Sequence, residues 1–463
     1  MSCVYLKNFS RSKLLWILLS AMAAATVAQA QFSVVYNFGS QRFDPYLPTY
    51  SGIVAQGRDG ALYSTAQFGG TTSEGAIFKV TTDGRLFVIY SFTGGSDGTL
   101  PVSGLTLGTD GYFYGTTEEG GASNLGTVFK VTPSGRFTTL YTFTGAGDGG
   151  SPQAPPIQGI DGNFYGTTNT TVYKLTPSGN LTTLYSFNAH IIAPLLADTD
   201  GNLYGTTSGN LLYRITPAGQ VTILHEFSPL EGWHPYGPLV LGNDGNIYGT
   251  MAKLGQNGWG TIFQMTPKGK VSVIHSFDGS SGGAPFAGLV QSADGTLYGS
   301  TIYGGTGGEC ETGCGTLFQI SPHQPYSYQV LYNFDYATGA LPQDTLIQHT
   351  NGILYADTED GGSGGVYPCV GDCGVFYSYD IGAAPFIAFV GQPVGNVGKE
   401  VEILGQGFTG LSSVSFNGIP ASFTLVSDTF IKTTVPSGAT SGFVTVTTPS
   451  GALTSKQIFV VKP

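Results

Sequence analysis

The sequence predicts an all-β fold: a seven-bladed β-propeller over residues 31–382 whose N-terminal strand closes the last blade, then a small immunoglobulin-like β-sandwich over residues 383–463. Three observations carry this prediction. A short phrase recurs along the chain: DGYFYGTT from Asp110, DGNFYGTT from Asp161, DGNLYGTT from Asp200, DGNIYGT from Asp244 and DGTLYGST from Asp294. Its Asp-Gly or Asn-Gly anchors, Asp59, Asp110, Asp161, Asp200, Asp244, Asp294 and Asn351, are spaced by 51, 51, 39, 44, 50 and 57 residues. That is the period of propeller blades, and no 3.6-residue apolar periodicity lies between the anchors. Finally, glycine is abundant, 71 of 463 residues, which disfavours helices because each interior glycine costs about 1 kcal/mol there.

Residues 1–30 read as a secretory signal peptide of the Sec type. Lys7, Arg11 and Lys13 precede the apolar run LLWILLSAMAAATV, and Ala28 and Ala30 are the small residues of a cleavage site before Gln31. The run is short for a membrane span and no second one follows, so no transmembrane segment is expected in the mature chain. The expected location is secreted, extracellular or cell-surface.

One complete unit runs from residue 103 to 143. SGLTLGT is an inner strand, Asp-Gly a tight turn, YFYGTTEEGG a second strand and its loop, GTVFKVTP a third strand, Ser-Gly a turn, and RFTTLYTF a fourth strand. The Asp-Gly pair suits a type I′ hairpin, in which both central residues have positive φ. Pro and Gly in TPSG, TPAG and TPKG mark the third-to-fourth turn. Tyr114, Tyr165, Tyr204, Tyr248, Tyr298 and Tyr355 share one slot, and a residue needed by nearly every blade is a packing residue rather than the mark of one site.

The ends of the repeat region fit each other. The seventh unit has a third strand, GVFYSYDIG, and no fourth, whereas FSVVYNF at 32–38 matches the fourth-strand motifs LYTF and LYNF. The N-terminal strand is therefore expected to complete blade seven, which removes open sheet edges. After Gly382 come about seven short alternating strands and an Asn417-Gly418 turn, a pattern that suits a β-sandwich.

Charge and cysteines narrow the partners. The formal net charge of −11 falls by three to −14 once Lys7, Arg11 and Lys13 leave with the signal peptide. Such a surface repels phosphate backbones, and nucleic acid is excluded as a partner. Cys310 with Cys314, in CETGC, and Cys369 with Cys373, in CVGDC, form two local pairs. In an exported chain an even cysteine count favours a disulfide within each pair; four thiolates could also bind zinc, but that requires reduced thiols. The run DTDGN from Asp198 resembles half of a calcium loop, yet it lacks the glycine at position six and the distal Glu, and it coincides with the repeated turn. No metal, cofactor or catalytic residue is assigned, and the chain is expected to be a monomer.

At the level of the whole unit, P…GL…DG.LYGTT..GG….GT.FK.TP.G..T.LYSF, the chain resembles the bacterial GloVer tandem repeat of exported, choice-of-anchor proteins over nearly all of residues 32–382. Units three and four depart from it by lacking GG, and unit seven by reading ADTEDGG after Tyr355. ILGQGF, VSFNG, TVP and GFVTVTTPSG resemble an IPT/TIG immunoglobulin-like domain. The resemblance implies secretion and surface association; it supplies no substrate and no catalytic residue.

Irregular sequence concentrates on one face of such a disc. First-to-second and third-to-fourth turns share one face and are short and stereotyped, while the second-to-third loops and blade connections share the other and carry SPLEGWHPYGP, KLGQNGWG and YGGTGGECETGCG. Both tryptophans of the mature chain, Trp233 and Trp259, lie there, with Glu231, His234 and Tyr236 beside the first. Aromatic rings stack on the apolar faces of sugars, and carboxylates and amides bind their hydroxyls; the same rings could instead pack their own glycine-rich loops. The leading expectation is a non-enzymatic propeller that binds extracellular polysaccharide or a surface protein. The alternatives are a polysaccharide hydrolase or lyase using His234, Tyr236 and Glu231, and a structural envelope or matrix protein.

Overall fold

The recurring Asp-Gly-X-X-Tyr phrase closes on itself through side chains as well as backbone. In the computed structural model, which describes residues 31–48, 53–306, 309–363, 373–390 and 393–462, the tyrosine hydroxyl donates back to the turn aspartate. Tyr63 reaches Asp59 at 2.7 Å, Tyr114 reaches Asp110 at 2.7 Å, Tyr165 reaches Asp161 at 2.8 Å and Tyr248 reaches Asp244 at 2.7 Å. Burial, reinforced by the Asp161 carboxylate, pushes the Tyr165 phenol up to about 12. The turn itself differs from the type I′ expectation, since only its glycine has positive φ, as at Gly60 (75°) and Gly111 (83°). Gly60 N donates to Gly57 O and Gly57 N to Ala61 O, which is a type I turn followed by a left-handed glycine. The physical reason is that Asp59 must keep an ordinary backbone to cap Ala61 N at 3.2 Å while accepting from Tyr63.

Each unit forms a four-stranded antiparallel sheet. The second sheet, Thr106–Leu107, Phe113–Thr117, Thr127–Val131 and Phe137–Thr142, shows the logic. Phe113–Thr117 is buried along its whole length, so both of its faces meet neighbouring sheets, whereas Phe137–Thr142 is only partly covered. Among the described residues seven such sheets follow one another between Phe32 and Tyr379. The one that contains Ile347–Gln348, Leu354–Asp357 and Val375–Tyr379 takes Phe32–Asn37 as its fourth strand. That strand carries the same register irregularity, between Val34 and Tyr36, that the other fourth strands carry.

The core lies between sheets. Phe92, Leu105, Phe113 and Phe129 join the first sheet to the second, Tyr114, Phe143, Phe164 and Tyr173 the second to the third, and Phe38, Phe78, Tyr355 and Phe376 the seventh to the first. Among the described residues no helix is long and apolar enough to cross a membrane. The proposed signal peptide over residues 1–30, and Cys369, lie outside the described residues.

Beyond Gly382 two further four-stranded antiparallel sheets enclose a separate cluster that includes Ile403, Phe408, Phe416, Ile431, Val444 and Phe459. This region touches the turn face of the repeat region at the first, sixth and seventh sheets. Arg58 Nη2 meets Glu402 Oε2 at 2.5 Å, Gln406 Nε2 donates to Asn351 O at 3.1 Å, and Lys456 Nζ donates to Gln291 O at 3.0 Å. Burial pushes the Lys456 ammonium down to about 8, against the pull of Asp294.

Candidate loop-face site

The connection from Val221–Glu226 to Val240–Leu241 is built around a turn that consumes Glu231. Its Oε2 accepts from Ser228 N and Ser228 Oγ, both at 2.8 Å, and its Oε1 lies 3.1 Å from His225 Nε2. Burial raises the Glu231 carboxyl, but the Ser228 hydrogen bonds and the His225 ring outweigh it and hold the group below its ordinary range. The same device appears in other units, where Tyr36 donates to Asp44 at 2.7 Å and Tyr141 to Asp148 at 2.9 Å. Glu231 with His225 is thus the local form of a repeated loop clamp, and its carboxylate is not free for a ligand.

After Gly232 the chain pairs with the neighbouring hairpin: Trp233 N donates to Lys253 O at 2.7 Å and Lys253 N to Trp233 O at 3.0 Å. His234 then takes a left-handed backbone, φ 58°, which turns its ring onto Tyr236. The His234 and Tyr236 rings lie 5.3 Å apart at 11°, and Tyr236 continues onto Phe286 at 4.7 Å and 26°. Trp233 stands edge-on to His234 at 6.4 Å. Burial, with the Lys253 charge beside it, lowers the His234 imidazole below its usual value. Three of the five residues singled out from sequence therefore form one row of half-buried rings.

Phe286 extends that row and was not singled out. The signal for it was present: PYGPL at 235–239 and PFAGL at 285–289 align, so Tyr236 and Phe286 hold the same position in successive connections.

Trp259 plays another part. Its carbonyl accepts from Ala284 N at 2.8 Å, and its indole lies flat over the next connection, where a Cβ on Gly283 would come within 2.5 Å and one on Gly279 within 2.8 Å of the ring. Leu125 covers Gly145 and Gly150 in the same manner three repeats earlier. Trp259 is a lid on a glycine loop, with 37% of its surface still exposed. At the corresponding place in the next unit is Cys314, bonded to Cys310 with Cα atoms 5.2 Å apart. Cys373 is also disulfide-bonded.

Comparison with known proteins agrees with this architecture. The model of a family described as the Gloeobacter/Verrucomicrobia repeat matches residues 22–210 and again 170–370. No curated protein matches the chain. Among solved structures, a streptogramin B lyase is similar over 76% of this chain and 99% of its own, at 16% identity and a TM-score of 0.53. A fungal alcohol oxidase solved with copper is similar over 90% and 98%, at 13% identity and a TM-score of 0.53. The WD40 β-propeller domain of Doa1 is similar over 75% and 96%, at 11% identity and a TM-score of 0.50. At these identities the likeness shows a propeller-type fold and carries no activity across.

Proposed function

We propose that this chain, which belongs to the Gloeobacter/Verrucomicrobia repeat family, is an exported, non-enzymatic, seven-bladed propeller that binds neutral glycans on its loop face. The IPT/TIG-like C-terminal region acts as a spacer mounted on the other face. The observation that carries this reading is the row Trp233, His234, Tyr236 and Phe286. Three consecutive ring contacts between 4.7 and 6.4 Å make an apolar strip suited to sugar C–H faces. The strongly negative chain favours uncharged sugars over acidic polysaccharides. The clamp on Glu231 counts against this carboxylate as a general acid, which weakens the hydrolase or lyase alternative. The pairing of Phe32–Asn37 with Val375–Tyr379, and the apolar seam from the seventh sheet to the first, support a closed ring.

The test is a neutral-oligosaccharide array followed by calorimetry on Trp233→Ala and Tyr236→Ala. Each change should weaken binding by about 1 kcal/mol or more. Trp233→Ala should leave the melting temperature almost unchanged, whereas Trp259→Ala should lower it by exposing the glycine loop. Absence of any retained glycan, or reducing ends released from one that binds, would overturn the proposal.

A further inference from the structure

The seventh sheet departs from the others at two positions, and the fold brings those positions together. Where Ser103, Ala154, Ala193, Gly237 and Ala287 are small, the seventh unit has Asp344; where Thr65, Thr116, Thr167, Thr206, Thr250 and Ser300 carry hydroxyls, it has Asp357. Inner and second strands pair antiparallel, Thr106 with Tyr114 in the second sheet and Ile347 with Tyr355 in the seventh, and this register brings the two positions to adjacent strands one residue out of line. In the second sheet Thr116 N donates to Ser103 Oγ at 3.2 Å. In the seventh the pair is two carboxyl groups, each 1% exposed and within hydrogen-bonding reach of the other.

In four other units this position is a donor, whereas Thr65 Oγ1 accepts from Gly104 N at 2.9 Å and Thr167 Oγ1 is buried without a partner. Thr116 donates to Ala154 O at 3.2 Å, Thr206 to Pro235 O at 3.3 Å, Thr250 to Ala287 O at 2.9 Å and Ser300 to Pro342 O at 3.2 Å. Asp357 puts an acceptor where the repeat puts a hydroxyl. Both of its carboxyl oxygens are buried without a hydrogen-bond donor, and so is Gln343 Oε1, one residue before Asp344. The Gln343 side chain is held in place by its Nε2, which donates to Glu359 Oε2. A buried carboxylate without a donor, as at Asp357, is costly, and a second carboxyl against it makes it costlier, unless positive charge lies between them. The Tyr377 hydroxyl nearby is also buried and unpartnered, but Tyr173 and Tyr213 share that state, so it belongs to the repeat and not to this departure.

We propose that Asp344 and Asp357, together with the Gln343 side-chain oxygen, hold one calcium ion inside the seventh sheet. An all-oxygen donor set selects a hard cation over zinc or copper. Among the described residues no three His, Cys, Asp or Glu side chains converge on one point, so neutral oxygens and water complete the shell. Two carboxylates are a low ligand charge, which fits the weak extracellular class of calcium sites, with Kd on the order of 10⁻⁴ to 10⁻³ M. The ion would brace the sheet that the N-terminal strand completes.

The competing occupant is a proton shared by the two carboxyls, with Glu359, Asp360 and Tyr377 as the other titratable groups around them. The experiment uses the full mature chain after dialysis against a chelator, titrated with calcium chloride in a calorimeter and melted with and without calcium. Saturable binding of one ion per chain and a higher melting temperature in calcium are expected. Asp357→Thr, which restores the repeat residue, should abolish both effects, and Asp344→Ser should do the same. No binding heat and no melting shift at calcium well above that Kd would overturn the site. A wild-type chain blind to calcium but stabilised by mild acid, where Asp357→Thr is not, would assign the shared proton instead. The wild-type titration decides the question whether or not the variants fold.

Discussion

Phe38→Ala tests the seam at which the chain ends meet. Phe38 follows the N-terminal strand and is 0% exposed, its ring 5.4 Å edge-on from Phe78 of the first sheet and 6.0 Å from Tyr36. It shares one cluster with Val54, Leu62 and Val80 of the first sheet and with Tyr355 and Phe376 of the seventh. Removing a wholly buried phenyl ring costs about 3–5 kcal/mol. Lost edge-to-face contacts add roughly 1 kcal/mol. Against a typical stability of about 5–15 kcal/mol, the variant should lose a third or more of its margin. Equilibrium urea denaturation, compared with Phe143→Ala at the equivalent place between the second and third sheets, measures it. Both variants should lose similar amounts, since Phe143 is also 0% exposed. A chain that begins at Gly39 should fare worse than either, because it also gives up the pairing of Phe32–Asn37 and the 3.8 Å stack of Phe32 on Tyr332. A loss below about 1 kcal/mol for Phe38→Ala, the scale of an ordinary point mutation, would refute the view that this seam holds the ring together.

Two further outcomes follow from the same geometry. His275 replaces the tyrosine of the fourth-strand motif, stacks on Tyr328 at 3.9 Å, and is pushed down to about 4 by burial, only partly opposed by Asp278. Its contribution to stability is therefore present above pH 6.5, the ordinary imidazole value, and is lost as pH falls through about 4. His275→Tyr, the repeat residue, should flatten that part of the pH–stability curve, and an unchanged slope would count against the assignment. The Cys310–Cys314 bridge closes a small ring, four residues apart, so Cys310→Ala with Cys314→Ala should lower stability by no more than about 2 kcal/mol while making the loop easier to cut with protease. A much larger loss would mean that the bridge supports the fold and not only its loop.

Local chemistry was legible without coordinates because it repeats. The Asp-Gly turns, the tyrosine slot, the four-strand unit and the match of FSVVYNF to the missing fourth strand are short-range patterns, and copying them along the chain averages out the ambiguity of any single one. What stayed hidden depends on neighbours far apart in sequence or on what a side chain is already doing. Glu231 looked available beside Trp233 until its two oxygens were found committed to Ser228 and His225. Trp259 looked like a platform until Gly279 and Gly283 were found beneath its ring, a contact that depends on how one loop folds over the next. Arg58 and Glu402, 344 positions apart, meet only because the C-terminal strands settle on the turn face. Asp357 belongs to the ADTEDGG departure of unit seven, but its significance lies in the burial beside it of Asp344, on the adjacent strand. The sequence by itself determined the repeating four-strand unit, since it follows from hydrogen-bonding and apolar patterns only a few residues long. The tertiary structure alone decided which side chains remain free to act, because burial and partner choice are properties of the assembled sheets.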